Sequence, residues 1–411
     1  MGVWRPGLVA VVAAAAVTLA GCAGSQSDQA GGGADQPYRV MITAGLGGQG
    51  ALAANAQTSV LAAKAGAQVV NESGGIGGRK VELTVVDDGG DPTTAVTKLR
   101  EAISSNHKPD LYLDSGPSTV ALAVLPVLKS AGILSFNISP TEDTSNPAKF
   151  PLNFDLAPGP DDNARAIAEY VKQKGYTPVG VIHSSSGSGV AYGEAAAAAM
   201  KKDGIAVSGN ESYDTSALDM TPQLQALKDS GAKALVVDAY GAPLGYILQN
   251  LQRLGWNVPL IGQTTVSATN LIAADPPAGV LGTPQVANLV TQVFQSTVYD
   301  AANVNVNKMV DTMASLGKIP APLILADNYD AFQLVAAAAK QAGTTTDAKK
   351  LASALESDQV QANAKTAFLP RYHYSAQSHA AQPTVDAYRF TAPTALVNGQ
   401  FGNPSAGGAQ R

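Results

Sequence analysis

From Tyr38 onward the chain alternates short apolar runs with helical stretches, and it does so twice, which narrows the folds open to it more than any other feature. Residues 39–44 read as a strand, followed by an Ala-rich helix over 52–71. The turn Gly74-Gly75-Ile76-Gly77-Gly78 leads into a strand at 81–86 that ends at Asp87-Asp88. A helix over 92–105 and a short strand at 111–113 come next. Ser115-Gly116-Pro117-Ser118-Thr119 then opens a helix to Ala131, before a strand at 133–138. After Asn153-Phe154-Asp155-Leu156-Ala157-Pro158 the alternation begins again, with helices over 161–174, 191–203, 222–230 and 244–254 and strands at 179–183, 206–208, 234–237 and 260–262. Strands and helices in this rhythm imply parallel pairing and right-handed crossovers. Two such α/β units in series predict two lobes. Long helices are expected over 289–316, 326–342 and 347–355, and then strand-like pieces to a frayed end.

The beginning of the chain is of another kind. Arg5, an apolar run from Leu8 and the small-residue exit Thr18-Leu19-Ala20-Gly21-Cys22 are the parts of a secretory signal peptide. Leu-Ala-Gly-Cys resembles the lipobox of bacterial lipoproteins, which makes Cys22 the expected lipidation site. A membrane span needs about 20 apolar residues, and Val3 to Gly24 reaches that only by counting Arg5, Pro6 and several glycines. Cys22 is the only cysteine, so the exported part is expected to have no disulfide. Residues 23–37, with Gly31-Gly32-Gly33, read as a flexible tether, and 405–411 as a disordered tail. The chain beyond residue 22 is too long for one core. Its 45% hydrophobic and 14% charged residues are a globular balance. A net charge of −5, with no basic cluster longer than Lys201-Lys202, argues against nucleic acid as a partner.

Several motifs could carry chemistry. Gly45-Leu46-Gly47-Gly48-Gln49-Gly50 fits G-x-G-x-x-G between a strand and a helix, where glycines let a pyrophosphate approach. An anchored NAD-dependent oxidoreductase is therefore the alternative function. The fingerprint also wants an acid about 20 residues on, and Asp87, ending the next strand, lies too far along; a glycine-rich loop at a cleft edge serves as well. Asp87-Asp88 and Asp91 lack the glycine and distal glutamate of a calcium loop. The histidines are scattered without a zinc spacing, so no metal is expected. Ser184-Ser185-Ser186-Gly187-Ser188 is not G-x-S-x-G. No enzyme activity and no cofactor are implied by these residues. Ser118 and Thr119 at a helix start place hydroxyls beside free backbone N–H groups, which attract an anion, and the same pair is a plain helix cap. Tyr192 and Tyr240 each follow a strand of the second unit, at the edge where open α/β sheets place ligands.

Taken in order, the motifs resemble the leucine/isoleucine/valine-binding type of substrate-binding protein from bacterial ABC importers, over about 38–398. The markers are Asn71-x-x-Gly74-Gly75-Ile76-Gly77-Gly78, Asp87-Asp88-x-x-Asp91-Pro92, Ser118-Thr119, Ile138-Ser139-Pro140, Tyr192-Gly193-Glu194 and Tyr329-Asp330-Ala331. The resemblance implies two Rossmann-like lobes, 38–157 with 283–368 and 158–282 with 369–404, joined by three crossovers near 155–158, 282–285 and 368–372. It implies that Ser118 and Thr119, with Thr141 beside them, hold a ligand carboxylate, and that Tyr192 and Tyr240 close over the ligand. An ABC permease and its ATPase are the implied partners, with the membrane reached only through the lipid; a sensory lipoprotein without a transporter is a third reading. In amino-acid binders of this type an acid pairs with the ligand ammonium where this chain has Gln263-Thr264-Thr265, which leaves Thr264 as the polar residue there. A first-lobe wall aromatic corresponds to Asn55, and the family disulfide is missing, with Gly90 at one of its positions. A buried cation needs a partner, so the missing acid leaves open a carboxylate without an amine, an amide or another neutral solute. Glu142, Asp143 and Asp238 are the candidate substitutes.

Overall fold

The structure is a computed structural model that describes residues 36–105 and 107–403. The expected signal peptide, Cys22, most of the tether and the tail at 405–411 lie outside the described residues. The first half runs β1 (Tyr38–Ala44), α1 (Gly50–Glu72), β2 (Val81–Asp87), α2 (Pro92–Ser104), β3 (Leu111–Ser115), α3 (Ser118–Ala131), β4 (Leu134–Asn137) and β5 (Asn153–Asp155). The second runs α4 (Pro160–Lys174), β6 (Val179–Ser184), α5 (Gly187–Lys202), β7 (Val207–Tyr213), α6 (Thr221–Asp229), β8 (Ala234–Val237), α7 (Ala242–Arg253), β9 (Leu260–Gly262), α8 (Thr264–Ser267) and β10 (Leu289–Phe294). The chain finishes with α9 (Val304–Leu316), α10 (Asn328–Ala342), α11 (Ala348–Leu355), α12 (Asp358–Asn363) and β11 (Tyr388–Thr391).

The strands form two sheets, in the orders β2-β1-β3-β4-β5 and β11-β10-β9-β8-β6-β7. The first is parallel throughout, with Ile42 opposite Val85 on one side and Leu113 on the other. The second is parallel except for β11, which runs antiparallel to β10. Parallel strands are covered on both faces, so they read as continuous apolar runs. Val40, Ile42, Leu113 and Phe136 face a core shared with α1 and α10, while Met41 and Tyr112 face α2 and α3. In the second sheet Leu235 and Val237 pack toward α6 and α7, and Val181 and Val236 toward α4 and α5. Each fully buried aliphatic side chain of this kind contributes about 1.5–3 kcal/mol. The chain is thus two α/β lobes.

Local signals place the helices. Asp91 caps α2, its Oδ1 accepting from the Thr94 N–H at 2.7 Å, with Pro92 at the first helical position. α4 begins at Pro160, carries Asp161 and Asp162 in its first turn and Lys172 and Lys174 in its last, and stops at Gly175 in a left-handed conformation, φ 69°. Helix α1 lies directly against α10: a Cβ at Gly66 would stand 2.7 Å from the Phe332 ring and 2.9 Å from the Tyr329 carbonyl oxygen.

One expected helix is replaced. Residues 289–316 were expected as one long helix, but Leu289–Phe294 is strand β10 and only Val304–Leu316 is helical. Leu289-Val290-Thr291-Gln292-Val293-Phe294 is short, β-branched and almost wholly buried, the pattern of an interior strand. Because β10 pairs with β9, the chain leaves the second sheet after Phe294, later than the crossing expected near 282–285. Among the described residues no helix is long and apolar enough to cross a membrane.

Candidate functional site

The first sheet reverses its strand order between β1 and β3, and the second between β6 and β8. In open α/β sheets ligands sit beyond the carboxyl ends of the strands, near such switch points. A cavity of about 300 Å³ occupies that place here. From the first lobe it is lined by Leu52, Asn55 and Ala56 of α1, by Ser115-Gly116-Pro117 at the end of β3, and by Ile138-Ser139-Pro140 after β4. Tyr240 after β8, Thr264 and Thr265 after β9, and Phe294 at the end of β10 line it from the second.

Hydrogen bonds hold these side chains from behind. Ser115 Oγ donates to Ser59 Oγ at 2.7 Å, which also accepts from Asn328 Nδ2 at 2.8 Å. Ser139 Oγ donates to the Gly116 carbonyl at 2.8 Å. Thr264 Oγ1 donates to Gln263 Oε1 at 3.0 Å, and Thr265 Oγ1 to Asp238 Oδ1 at 2.7 Å. Asn55 reaches across: its Nδ2 donates to the Tyr240 hydroxyl at 2.9 Å and to the Ala268 carbonyl at 3.2 Å. Both bonds join the helix on the first sheet to loops of the second.

A larger cavity of about 1330 Å³ lies beside this one, lined among others by Ser118, Thr141, Glu142, Asp155, Arg165 and His373. Burial pushes the Asp155 carboxyl up to about 8, against the lowering effect of hydrogen bonds from Asn137 and Thr144. Asp114, next to Ser115 in β3, is likewise raised to about 8 by burial, with the nearby Asp88 charge adding to it and the Gly116 N–H opposing.

The sequence-expected residues therefore separate. Tyr240 and Thr264 line the small cavity, Ser118 and Thr141 line the large one, and Thr119 is exposed. Tyr192, 1% exposed, packs into the core between the second sheet and α4–α5 and lines neither. The three candidate acids also miss the small cavity: Glu142 lines the large one, Asp143 pairs with Lys149, and Asp238 is buried behind Thr265. Burial raises the Asp238 carboxyl above its ordinary range, opposed by the Thr265 hydroxyl and the Ser184 N–H.

A family model described as periplasmic binding protein matches residues 45–392, most of the chain. The chain belongs to the periplasmic binding protein family. The Leu/Ile/Val-binding protein homolog 3 of Brucella melitensis is 26% identical to it over 71% of this chain and 76% of its own. A type 1 periplasmic binding protein from Bordetella pertussis superposes with a TM-score of 0.69 at 22% identity, covering 86% of this chain and 96% of that one. A solute-binding protein of an ABC transporter from Rhodopseudomonas palustris, solved in complex with 4-hydroxybenzoate, gives 0.63 at 18% identity over 78% and 84%. These structures share the fold of type 1 periplasmic binding proteins with this chain.

In this chain the glycine loop packs against the end of β2. The Gly47 N–H donates to Asp87 Oδ1 at 3.0 Å, and a Cβ at Gly47 would meet Asp87 Oδ2 at 2.8 Å. N–H donors from Gly47 and Gly89 hold the Asp87 carboxyl below its ordinary range, so the Gly47 donor of the loop is already engaged by a carboxylate of the chain. Ser186 caps α5 through the Gly189 N–H at 3.1 Å. Sequence reasoning missed Ser115, Ser139 and Thr265 as lining residues, although each stands inside a motif that it singled out. Asn55 was marked as a departure from the related binders, but nothing in the sequence showed that it would bridge the lobes.

Proposed function

We infer that this protein is the extracytoplasmic solute receptor of an ABC importer, anchored by a lipid on Cys22, and not an enzyme. Its cargo is a small polar solute, a branched-chain amino acid or a related carboxylate or amide. Support comes from the family and from the cavity beyond the carboxyl ends of both sheets, bridged by Asn55. The working cycle is a population shift in which a solute held by Ser115, Ser139 and Asn55 favours the form where Tyr240 and Thr264 meet it. The permease reads that closed form, and its ATPase drives release.

Solution scattering with and without solute tests the cycle: a binding solute should compact the particle, and Tyr240→Ala should weaken that solute at least tenfold by calorimetry. An unchanged particle for every solute that binds would remove the closing mechanism. Cys22→Ser should abolish metabolic lipid labelling, and labelling that persists would remove the anchor.

A further inference from the structure

The motif Tyr329-Asp330-Ala331 lies in the first turn of α10 and lines neither cavity. Asp330 is fully buried, and four donors converge on its carboxylate. Oδ1 accepts from the Ala367 N–H at 2.6 Å and Oδ2 from the Leu369 N–H at 3.1 Å. The Phe368 N–H is shared between them, at 3.2 Å from Oδ1 and 3.1 Å from Oδ2. The Tyr372 hydroxyl donates to Oδ2 at 2.9 Å.

Residues 367–370 form a bend outside any helix or strand, and Ala367, Phe368 and Leu369 are fully buried. No ladder serves their N–H groups, and a buried N–H needs an acceptor. Three N–H groups in succession make a concavity that holds an anion, and the Asp330 carboxylate fills it. Burial raises that carboxyl to about 6, and the four donors oppose the rise. The place of the bend is therefore set by one side chain of α10 and by no sheet.

What the bend carries reaches the small cavity. Phe368, in the middle of it, has its ring centroid 4.6 Å from that of Phe294, at an interplanar angle of 56°. Phe294 lines the small cavity and also meets Tyr388, at 5.4 Å. Aromatic pairs hold only a few arrangements, so a shift of Phe368 is passed to the cavity wall. We propose that Asp330 is a positioning residue for cargo recognition, fixing the Phe294 wall through Phe368. This deepens the receptor reading above, and its effect on affinity rests on that reading.

Asp330→Asn keeps the size of the side chain and turns one acceptor oxygen into an NH2 group that faces N–H donors. A double-mutant cycle with Phe368→Leu isolates the coupling between the two residues. Two readouts are taken on the purified full chain. One is calorimetry with leucine, isoleucine and valine. The other is 19F NMR of protein carrying 4-fluorophenylalanine, with the Phe294 signal assigned by Phe294→Leu. Each single variant should weaken the tightest of the three amino acids at least fivefold, and the double variant should bind within twofold of the weaker single. Asp330→Asn should move the Phe294 signal, and move it far less once Phe368→Leu is in place. Losses that multiply overturn the proposal. So does a melting temperature that falls while affinity and the Phe294 signal are unchanged, which would leave Asp330 a structural role alone. Where Asp330→Asn does not fold, Tyr372→Phe, which removes one donor and keeps the charge, takes its place under the same criteria. If none of the three amino acids binds wild-type protein, the branched-chain reading of the cargo falls, and the 19F cycle still decides the part of Asp330.

Discussion

Pro140 is a shared wall of two cavities, one of about 300 Å³ and one of about 1330 Å³, whose linings differ in charge, packing and hydrogen bonding. The small one is bounded by side chains whose polar atoms are mostly tied to protein partners, with Phe294 packed against Phe368 and Tyr388 behind it. The large one carries Glu142, Asp155, Asp161, Asp162, Arg165 and His373. The contrast separates recognition from accommodation. A chamber that chooses its occupant must hold its walls still and leave few polar groups unanswered, whereas a wide ionic space is met by water whatever its shape.

The largest expected effect on that contrast comes from Phe294→Ala. The ring is 3% exposed and its truncation should cost about 3–5 kcal/mol of stability, measured by denaturant unfolding. A loss below about 1 kcal/mol would mean that the small cavity's wall is not packed as described.

Next comes pH. Asp155, on the wall of the large cavity, is raised to about 8 by burial, so the folded state holds its proton more tightly than the unfolded chain. Stability is then highest below the ordinary carboxylate range and is lost as pH rises toward about 8. Asp114, raised to about 8, and Asp330, raised to about 6, act in the same direction. Calorimetric melting temperatures should fall across pH 4 to 8, and less steeply in Asp155→Asn, which imitates the neutral acid. Equal slopes in the two proteins would place the effect elsewhere.

The smallest effect sharpens the comparison most. Ser118→Ala and Thr141→Ala change only the large cavity, and should alter solute affinity less than about twofold by calorimetry. A tenfold loss in either would move the recognition site next door.

These residues also show what could be read from the sequence. Strand–helix alternation was visible because parallel strands must be apolar on both faces; a strand end pointed to Tyr240, whereas Thr264 was singled out only by the resemblance to the related binders. The corner at Ser115 to Thr119 was legible as polar, but a turn sends neighbouring hydroxyls in different directions. Ser115 faces the small cavity and Ser118 the large one. Tyr192 had the same local signal as Tyr240, yet the next turn of α5 carries it under the second sheet into the core. The strand β10 was read as helix because a six-residue apolar run has no periodicity of its own and a true helix comes soon after it. The bridge from Asn55 to Tyr240 joins positions 185 residues apart, and only the tertiary fold brings them together.

Gly66 and Asn55 belong to one rigid rod, α1, about 16 Å apart along its axis. The rod is seated on α10 at its far end, where any methyl group at Gly66 would lift it. Such a lift would tilt the opposite tip, withdrawing the amide that spans the lobes. A receptor built this way can be deafened by a change at its fulcrum, in a residue that its cargo never touches.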